Sequence, residues 1–170
     1  MLKRKNVVGN ILGKGKKPMG GFITEIVLRV VTFICVPVQF GSVLWGEFVW
    51  SLPVFLMMRE AGLILMLIGV IVFFMAIFTM KNNWRTGYNH EQDTQLVTYG
   101  IYNFSRNPAF VGFDLLYIGC ALAFPNIVYV ALSLVAVIVF HVQILGEEKF
   151  LEQKFGEKYL KYKAKVRRYI

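Results

Sequence analysis

Apolar residues along this chain form four long runs, and polar or turn-forming stretches separate them. The first run, residues 21–45, contains two charged side chains, whereas the second, residues 61–80, contains none. A Pro-Asn pair divides the third run, residues 109–124, from the fourth, residues 127–145. A helix rises about 1.5 Å per residue, so about 20 apolar residues cross a bilayer core about 30 Å thick. The pattern predicts an all-α integral membrane protein with four transmembrane helices, the last two forming a hairpin.

The end of the chain has a different pattern, in which apolar and charged residues alternate with the period of a helix. From Glu147 onward, apolar side chains recur every three or four residues, and Lys, Glu and Arg lie on the other faces. The apolar stripe consists of Leu151, Phe155, Tyr159, Tyr162, Val166 and Tyr169. This spacing predicts a C-terminal amphipathic helix that lies on the membrane surface.

The composition strengthens the membrane interpretation and excludes other classes of protein. Hydrophobic residues make up 56% of the chain and charged residues only 17%. A soluble domain is about half apolar and about a quarter charged, so this composition argues against a soluble enzyme or a disordered chain. The two cysteines, Cys35 and Cys120, both lie inside apolar runs, which favours small buried side chains over a disulfide. Two histidines without cysteine partners give no metal site.

The net charge of +9 is concentrated at the two ends of the chain. Residues 1–20 carry six basic side chains and no acid, and residues 147–170 carry eight basic side chains against four acids. Because this charge flanks apolar runs, it indicates contact with anionic lipid rather than with nucleic acid. The positive-inside rule then places both termini and the polar stretch 81–108 in the cytoplasm. A fifth helix would have to be interfacial or re-entrant, since a fifth crossing would move one basic terminus outside.

Two short polar motifs are candidates for chemistry at this cytoplasmic face. Ser105-Arg106-Asn107-Pro108 precedes the third apolar run, and Glu147-Glu148 follows the fourth. Adjacent carboxylates repel each other unless a basic group meets them, and Arg106 lies at the same depth in the predicted bundle. The alternative is that the two glutamates begin a solvated helix and Arg106 serves only the positive-inside rule. The residues alone leave both interpretations open.

The ordered set of motifs in the second half of the chain resembles the isoprenylcysteine carboxyl methyltransferase family. That family has a Gly-x-Tyr turn, an Arg-His-Pro-x-Tyr motif, a Glu-Glu-x-x-Leu motif and a Phe-Gly-x-x-Tyr-x-x-Tyr tail. The resemblance covers roughly residues 84–168, and phospholipid methyltransferases share parts of it. The corresponding segments here are Gln95–Tyr102, Ser105–Gly112, Glu147–Leu151, Phe155–Tyr159 and Tyr162–Arg167.

The resemblance implies an enzyme that uses S-adenosylmethionine at the cytoplasmic face of the membrane. Its acceptor would be a lipophilic or lipidated molecule from the bilayer, with either a prenylcysteine-type carboxylate or a lipid amine. Residues 1–170 would form one membrane domain, in which two spans in residues 21–80 precede a catalytic core in residues 81–170. Arg106 and Glu147 would be catalytic. The cofactor would contact Gln95, Leu96, Val97, Gly100, Tyr102, Arg106, Asn107, Phe110, Glu147 and Glu148.

Within that implied site, each residue type suits one part of the cofactor. The two glutamates would accept hydrogen bonds from the ribose hydroxyls or the ammonium group, and Arg106 would hold the methionine carboxylate. Tyr102 or Phe110 would face the cationic sulfur. The sequence departs from the family at two positions, with Asn107 in place of His and Phe110 in place of Tyr. Asn can donate and accept hydrogen bonds but cannot titrate, so an acid-base role at that position is lost.

Two other functions compete with the methyltransferase interpretation. An NADPH-dependent membrane reductase would need a site for the 2′-phosphate, which the basic tail could supply. A non-enzymatic membrane scaffold would give Arg106 and the two glutamates no reason to meet. The sequence gives no information on the oligomeric state.

Overall fold

The computed structural model describes residues 19–44, 52–53, 55–81 and 95–170. In these residues the chain forms five α-helices and one short 3-10 helix, so the predicted all-α class is confirmed there. The helices are α1 (Met19–Leu44), α2 (Leu56–Met80), the 3-10 helix (Gly100–Asn103), α3 (Pro108–Ala123), α4 (Ile127–Phe155) and α5 (Glu157–Lys165). The basic segment 1–18 and the centre of the polar stretch, residues 82–94, lie outside the described residues.

Two of the described helices, α2 and α4, are long and apolar enough to cross a membrane. Helix α2 also exposes large apolar side chains along its length, including Met57 at 82% and Phe78 at 71%. Exposing such a continuous apolar surface to water is unfavourable, whereas contact of the same surface with lipid is not. Helix α3 has 16 residues and rises about 24 Å, less than the apolar core of a bilayer. The structure therefore supports membrane character, while the count of four spans stays a prediction.

Helices α2 and α3 pack with backbone against backbone. A Cβ atom added to Gly62 would lie 2.5 Å from the carbonyl oxygen of Gly119, and one added to Gly119 would lie 2.6 Å from that of Gly62. Gly69 and Gly112 face each other in the same way, at 2.7 and 2.8 Å. Small residues at such an interface let two membrane helices approach closely, which favours their association in lipid. We call this contact the glycine seam.

Helix α1 packs on the other side of the bundle, through side chains rather than backbone. Leu28, Val31 and Cys35 are buried in one cluster with residues of α3 and α4, among them Tyr117 and Phe140. The hydroxyl of Tyr117 also hydrogen-bonds Thr32 in α1 at 3.4 Å. Helix α1 therefore shares one apolar core with α3 and α4.

The C-terminal part of the chain differs from the single amphipathic helix that its pattern predicts. Helix α4 continues unbroken past Glu147 to Phe155, and Gly156, at φ +52°, ends it. Only glycine adopts this backbone conformation at little cost. Helix α5 follows, and the chain turns extended at Val166. Tyr159 and Tyr162, which the pattern places at a lipid surface, are instead buried within the protein.

Candidate functional site

A buried carboxylate, that of Glu148, is the centre of the polar end of the bundle. The residue is only 3% exposed. Its Oε1 atom accepts hydrogen bonds from Nε and Nη2 of Arg106, at 3.1 and 2.8 Å, and from Nδ2 of Asn107 at 3.2 Å. Its Oε2 atom accepts from Nη2 of Arg168 at 2.9 Å. A carboxylate that is buried away from solvent stays ionised only when charged donors hydrogen-bond it. The guanidinium groups of Arg106 and Arg168 do so here.

The guanidinium of Arg106 also fastens the end of the chain to the loop that precedes α3. Its Nη1 atom donates to the carbonyl oxygens of Lys163 at 3.1 Å and Val166 at 2.7 Å. The backbone N–H of Arg106 donates to the carbonyl oxygen of Arg167 at 3.0 Å. Arg106 therefore joins α4, α5 and the extended C-terminal segment. Its predicted meeting with the glutamate pair is present in the structure, through Glu148.

The two residues beside Arg106 hold the same segment. Asn107 is the N-cap residue of α3, and Nδ2 of its side chain donates to the carbonyl oxygen of Arg168 as well as to Glu148. The Ser105 hydroxyl donates to that carbonyl at 3.3 Å and accepts from the N–H of Asn107 at 3.1 Å. The position at which the family carries His is thus a hydrogen-bond donor to the buried carboxylate.

A buried tyrosine links α5 to the 3-10 helix. The Tyr162 hydroxyl donates to the carbonyl oxygen of Tyr102 at 2.7 Å. Burial raises the pKa of Tyr162 to about 12, so the phenol stays protonated and remains a donor at any physiological pH. Arg168 has a raised pKa because it hydrogen-bonds Glu148, and it stays charged as well. Tyr162 and Arg168 therefore keep one protonation state each. Together with Arg106, Asn107 and Glu148 they form a polar wall at this end of the bundle.

A cavity of about 810 Å³ lies against this wall. Its volume falls within the range of sites for drug-sized ligands and cofactors, about 300–1,000 Å³. Polar side chains line one end of it, among them Gln95, which precedes the 3-10 helix, and Gln143 and Glu147 of α4. Aromatic and aliphatic side chains of α1, α3 and α4 line the remainder, for example Phe33 and Phe113. One space therefore combines a polar end with an apolar body.

All but two of the residues predicted to contact the cofactor line this cavity. They are Gln95, Leu96, Val97, Tyr102, Arg106, Asn107, Phe110 and Glu147. The exceptions are Gly100 and Glu148. Gly100 has φ +62° and packs against the end of α2, where a Cβ atom would lie 3.0 Å from Thr79. Backbone conformation and packing both favour glycine at this position, and contact of Gly100 with the cofactor stays a prediction.

The adjacent glutamates separate because consecutive residues of a helix point about 100° apart. Glu148 points into the protein and meets the two arginines. Glu147 lines the cavity and accepts a hydrogen bond from Nε2 of Gln143 at 3.5 Å, one turn earlier on α4. The two residues, which the sequence could treat only as a pair, therefore have different surroundings.

Several residues of the site were not among the sequence predictions. Arg168 was counted only as one of the basic residues of the tail, and no signal in the sequence places it beside Glu148. Gln143 carried a signal, since it lies four residues before Glu147 and shares its helix face. Arg29 also lines the cavity. Its signal was a charge within an apolar run, where ionisable residues are functional candidates.

Comparison with known proteins places the chain among methyltransferases. The phospholipid methyltransferase family profile matches residues 57–158. Protein-S-isoprenylcysteine O-methyltransferase A of Arabidopsis thaliana is 35% identical over 108 residues, which are 62% of this chain and 55% of that protein. Protein-S-isoprenylcysteine O-methyltransferase of Xenopus laevis is 34% identical over 108 residues, 62% of this chain and 38% of that protein.

A third relative, protein-S-isoprenylcysteine O-methyltransferase of Schizosaccharomyces pombe, is 40% identical over 76 residues, 44% of this chain and 32% of that protein. The chain thus spans about half the length, or less, of the curated relatives it matches. The matched family region contains α3, α4 and all but the first residue of α2, and it leaves out the whole of α1. The chain belongs to the phospholipid methyltransferase family.

Proposed function

We propose that this protein transfers a methyl group from S-adenosylmethionine to a lipophilic acceptor. The observation that carries the proposal is that one cavity has motif residues at its polar end and apolar side chains along its body. A methyl donor and a lipophilic acceptor must meet in one space, and this space offers a suitable surface to each. Family membership supports the same reaction class.

The residues at the polar end fit the chemistry of the proposed cofactor. S-Adenosylmethionine has hydroxyl and ammonium donors and a cationic sulfur, and when bound it supplies an electrophilic methyl group. The Glu147 carboxylate and the Gln95 side-chain amide can accept hydrogen bonds from those donors. Tyr102 and Phe110 offer aromatic surface that attracts a cation. These hydrogen-bond acceptors and aromatic rings therefore suit a small, polar, positively charged molecule.

In this proposal Arg106 is mainly a positioning residue, which holds neighbouring segments of the site in place. Its guanidinium already hydrogen-bonds Glu148 and the carbonyl oxygens of Lys163 and Val166. A bidentate clamp on the methionine carboxylate would require Arg106 to exchange some of these partners. The ion pair of Arg106 and Glu148 fixes the part of α4 that carries Glu147. Methyl transfer depends on such fixed geometry.

The acceptor would approach through the apolar part of the cavity. Phe33, Phe113 and Phe140 offer no polar contact and exclude water from the reacting atoms. A carboxylate acceptor is nucleophilic as it stands. An amine acceptor must lose a proton, and Glu147 is the carboxylate in the cavity that could take it. Both acceptor types belong to the proposal at this stage.

The proposal includes an orientation, with the polar end of the cavity in the cytoplasm. Arg106, Lys163, Arg167 and Arg168 all lie at that end, and the positive-inside rule applies to such clusters. Reporter fusions at the two termini would test it. Activity of a cytoplasmic reporter at both ends is expected, and activity outside at either end would contradict four crossings.

Calorimetric titration of the purified protein distinguishes the proposal from its alternative. We expect saturable binding of S-adenosylmethionine and no binding of NADPH. No observation favours the reductase, because the basic residues best placed for a 2′-phosphate, Arg106 and Arg168, are both paired with Glu148. Binding of NADPH without binding of S-adenosylmethionine would overturn the methyltransferase proposal.

A further inference from the structure

The chain that follows α5 forms an extended strap, residues 166–169, which lies across the polar wall. Arg106, in the loop that leads into α3, binds the backbone of this strap. Its Nη1 atom donates to the carbonyl oxygen of Val166 at 2.7 Å, and its backbone N–H donates to the carbonyl oxygen of Arg167 at 3.0 Å. The backbone of the strap is therefore held by the start of α3.

Two neighbouring side chains of the strap reach α4 at positions two turns apart. Nη2 of Arg168 donates to Oε2 of Glu148 at 2.9 Å. The hydroxyl oxygen of Tyr169 lies 2.5 Å from Nδ1 of His141, and the two rings stack with their centroids 6.1 Å apart. His141 and Glu148 are seven residues apart, so they share a face of α4 and lie about 10 Å apart along its axis. The strap is thus attached to α4 at two levels.

The contact between His141 and Tyr169 lies outside the cavity. His141 belongs to α4, which is long and apolar enough to cross a membrane, and an ionisable residue in such a helix is a candidate for a function. Burial and then the nearby carboxylate of Asp114, on α3, raise the pKa of Tyr169, so its phenol stays protonated and can donate to the imidazole. Neither His141 nor Tyr169 lines the cavity. Any role in the proposed reaction is therefore exerted through other residues.

Arg168 and Glu148 connect this contact to the cavity. Arg168 directly precedes Tyr169, and its guanidinium is one of the two that hydrogen-bond the buried Glu148. Glu147, the neighbour of that carboxylate on α4, lines the cavity where the proposed cofactor would bind. Release of Tyr169 would give Arg168 more freedom to leave the carboxylate, and the part of α4 that carries Glu147 would be held less firmly.

We propose that His141 and Tyr169 are positioning residues, whose contact fixes the strap and thereby sets the affinity of the polar end for the cofactor. This inference rests on the proposed methyltransferase function and extends the site to two residues that do not line the cavity. A ligand binds more tightly when the groups that contact it are already held in place, because less freedom is lost on binding. The contact supplies that order at a distance from the cofactor.

The test measures two quantities in the purified protein: hydrogen exchange without ligand, and the affinity for S-adenosylmethionine. The backbone N–H of Arg106 reports on the strap by its exchange, because it donates to the carbonyl oxygen of Arg167. The first variant, Tyr169→Phe, keeps the ring and loses the hydroxyl. The second, His141→Phe, keeps a ring and loses the nitrogen. The double variant shows whether the two residues act as one unit.

Two further variants are controls. His141→Asn is the conservative change, since the side-chain oxygen of Asn can accept the hydrogen bond from Tyr169 in place of Nδ1. Tyr99→Phe is the matched control, because the Tyr99 hydroxyl also donates to a carbonyl oxygen, that of Thr79, but at an exposed position outside the cavity lining.

We expect Tyr169→Phe and His141→Phe each to weaken S-adenosylmethionine binding about three- to tenfold, which corresponds to the loss of one hydrogen bond. Exchange at the N–H of Arg106 should become faster in both variants. The double variant should bind within about twofold of either single variant, because the same contact is lost only once. His141→Asn should recover most of the affinity, and Tyr99→Phe should match wild type in both quantities.

Affinity equal to wild type in both single variants, or losses that add in the double variant, would overturn the inference. Unchanged exchange at Arg106 in both single variants would also overturn it, because the strap would then be held without this contact. In each of these cases wild type still binds S-adenosylmethionine. If wild type does not bind it, the proposed function itself fails and this inference fails with it.

Discussion

The two sides of this bundle are built in opposite ways. In the glycine seam, α2 and α3 meet with no side chain between their backbones, at Gly62 and Gly119 for example. On the other side, α1 and α4 contact each other through side chains, and a cavity of about 810 Å³ remains among α1, α3 and α4. In lipid, helices gain little from hiding apolar surface, so close packing and polar contacts must hold them together.

The comparison shows where each side obtains its stability. The glycine seam relies on close packing along much of the length of two helices. The cavity side lacks such close packing where the cavity lies, and it is closed at one end by Glu148 and its donors. A substitution in the glycine seam should therefore act through helix packing, whereas a substitution at Glu148 or its partners should act through lost buried hydrogen bonds and ion pairs.

The largest effect is expected from Glu148→Ala. It leaves Arg106 and Asn107 without their buried acceptor and should cost about 3–5 kcal/mol of stability, the usual result of removing one partner of a buried ion pair. Thermal unfolding in detergent measures it. Glu157→Ala is the control, because Glu157 is exposed and pairs only at 3.8 Å with Lys161. Equal melting temperatures for the two variants would mean that the buried carboxylate does not hold the cavity side.

The seam should be broken by a single methyl group. In Gly119→Ala the new Cβ would lie 2.6 Å from the carbonyl oxygen of Gly62, and the two helices must separate to admit it. We expect a loss of about 1–3 kcal/mol, as for other overpacked interiors. Ile118→Leu, at the neighbouring exposed position, is the control. Stability equal to wild type in Gly119→Ala would show that the seam is loose and that the contrast between the two sides is wrong.

Cofactor affinity should separate the two adjacent glutamates. Glu147→Gln keeps the size of the side chain but loses its charge, and it should weaken S-adenosylmethionine binding by about 1.5–3 kcal/mol while stability changes little. Glu157→Gln serves as the exposed comparison and should leave affinity unchanged. Calorimetry on both variants measures the difference. Similar small losses in the two variants would make Glu147 an ordinary surface charge.

The smallest effect is expected from Tyr162→Phe. This change removes the hydroxyl that donates to the carbonyl oxygen of Tyr102 but keeps the buried ring. Stability should fall by about 1 kcal/mol, the net value of one hydrogen bond. Tyr99→Phe is a comparison, since the Tyr99 hydroxyl donates to Thr79 at an exposed position. A larger loss in Tyr99→Phe than in Tyr162→Phe would contradict the importance of the α5 contact.

The sequence predicted the helices and much of the polar end of the cavity because these depend on local pattern. Apolar runs fix helix positions, and the motif residues around Arg106 are close in sequence to one another. Chain reversal is not local, and for this reason Arg168 was missed: it reaches Glu148 only because Gly156 breaks the helix. Which of two adjacent glutamates faces the cavity depends on the rotation of α4. That rotation is set by contacts with α1 and α3, which the pattern of α4 does not contain.

The glycine seam was overlooked although its signal is visible in the sequence. Gly62, Gly69 and Ala76 are seven residues apart on α2, and Gly112 and Gly119 have the same spacing on α3. In an apolar run such residues are easily read as filler, because hydropathy treats them much like other apolar residues. Their role becomes evident only when the two helices are placed face to face.

The spacing of the seam also sets a tolerance for insertions and deletions. Gly62 and Gly69 occupy the same face of α2, and one extra residue between them would turn everything beyond it by about 100° and shift it by about 1.5 Å. A neighbouring larger side chain would then face α3. Helix α3 begins at Pro108, directly after Arg106 and Asn107. The packing of α3 on α2 through the glycine seam therefore fixes how far along α2 these two polar residues lie. Length changes should be tolerated between the helices, in residues 82–94, and not within them.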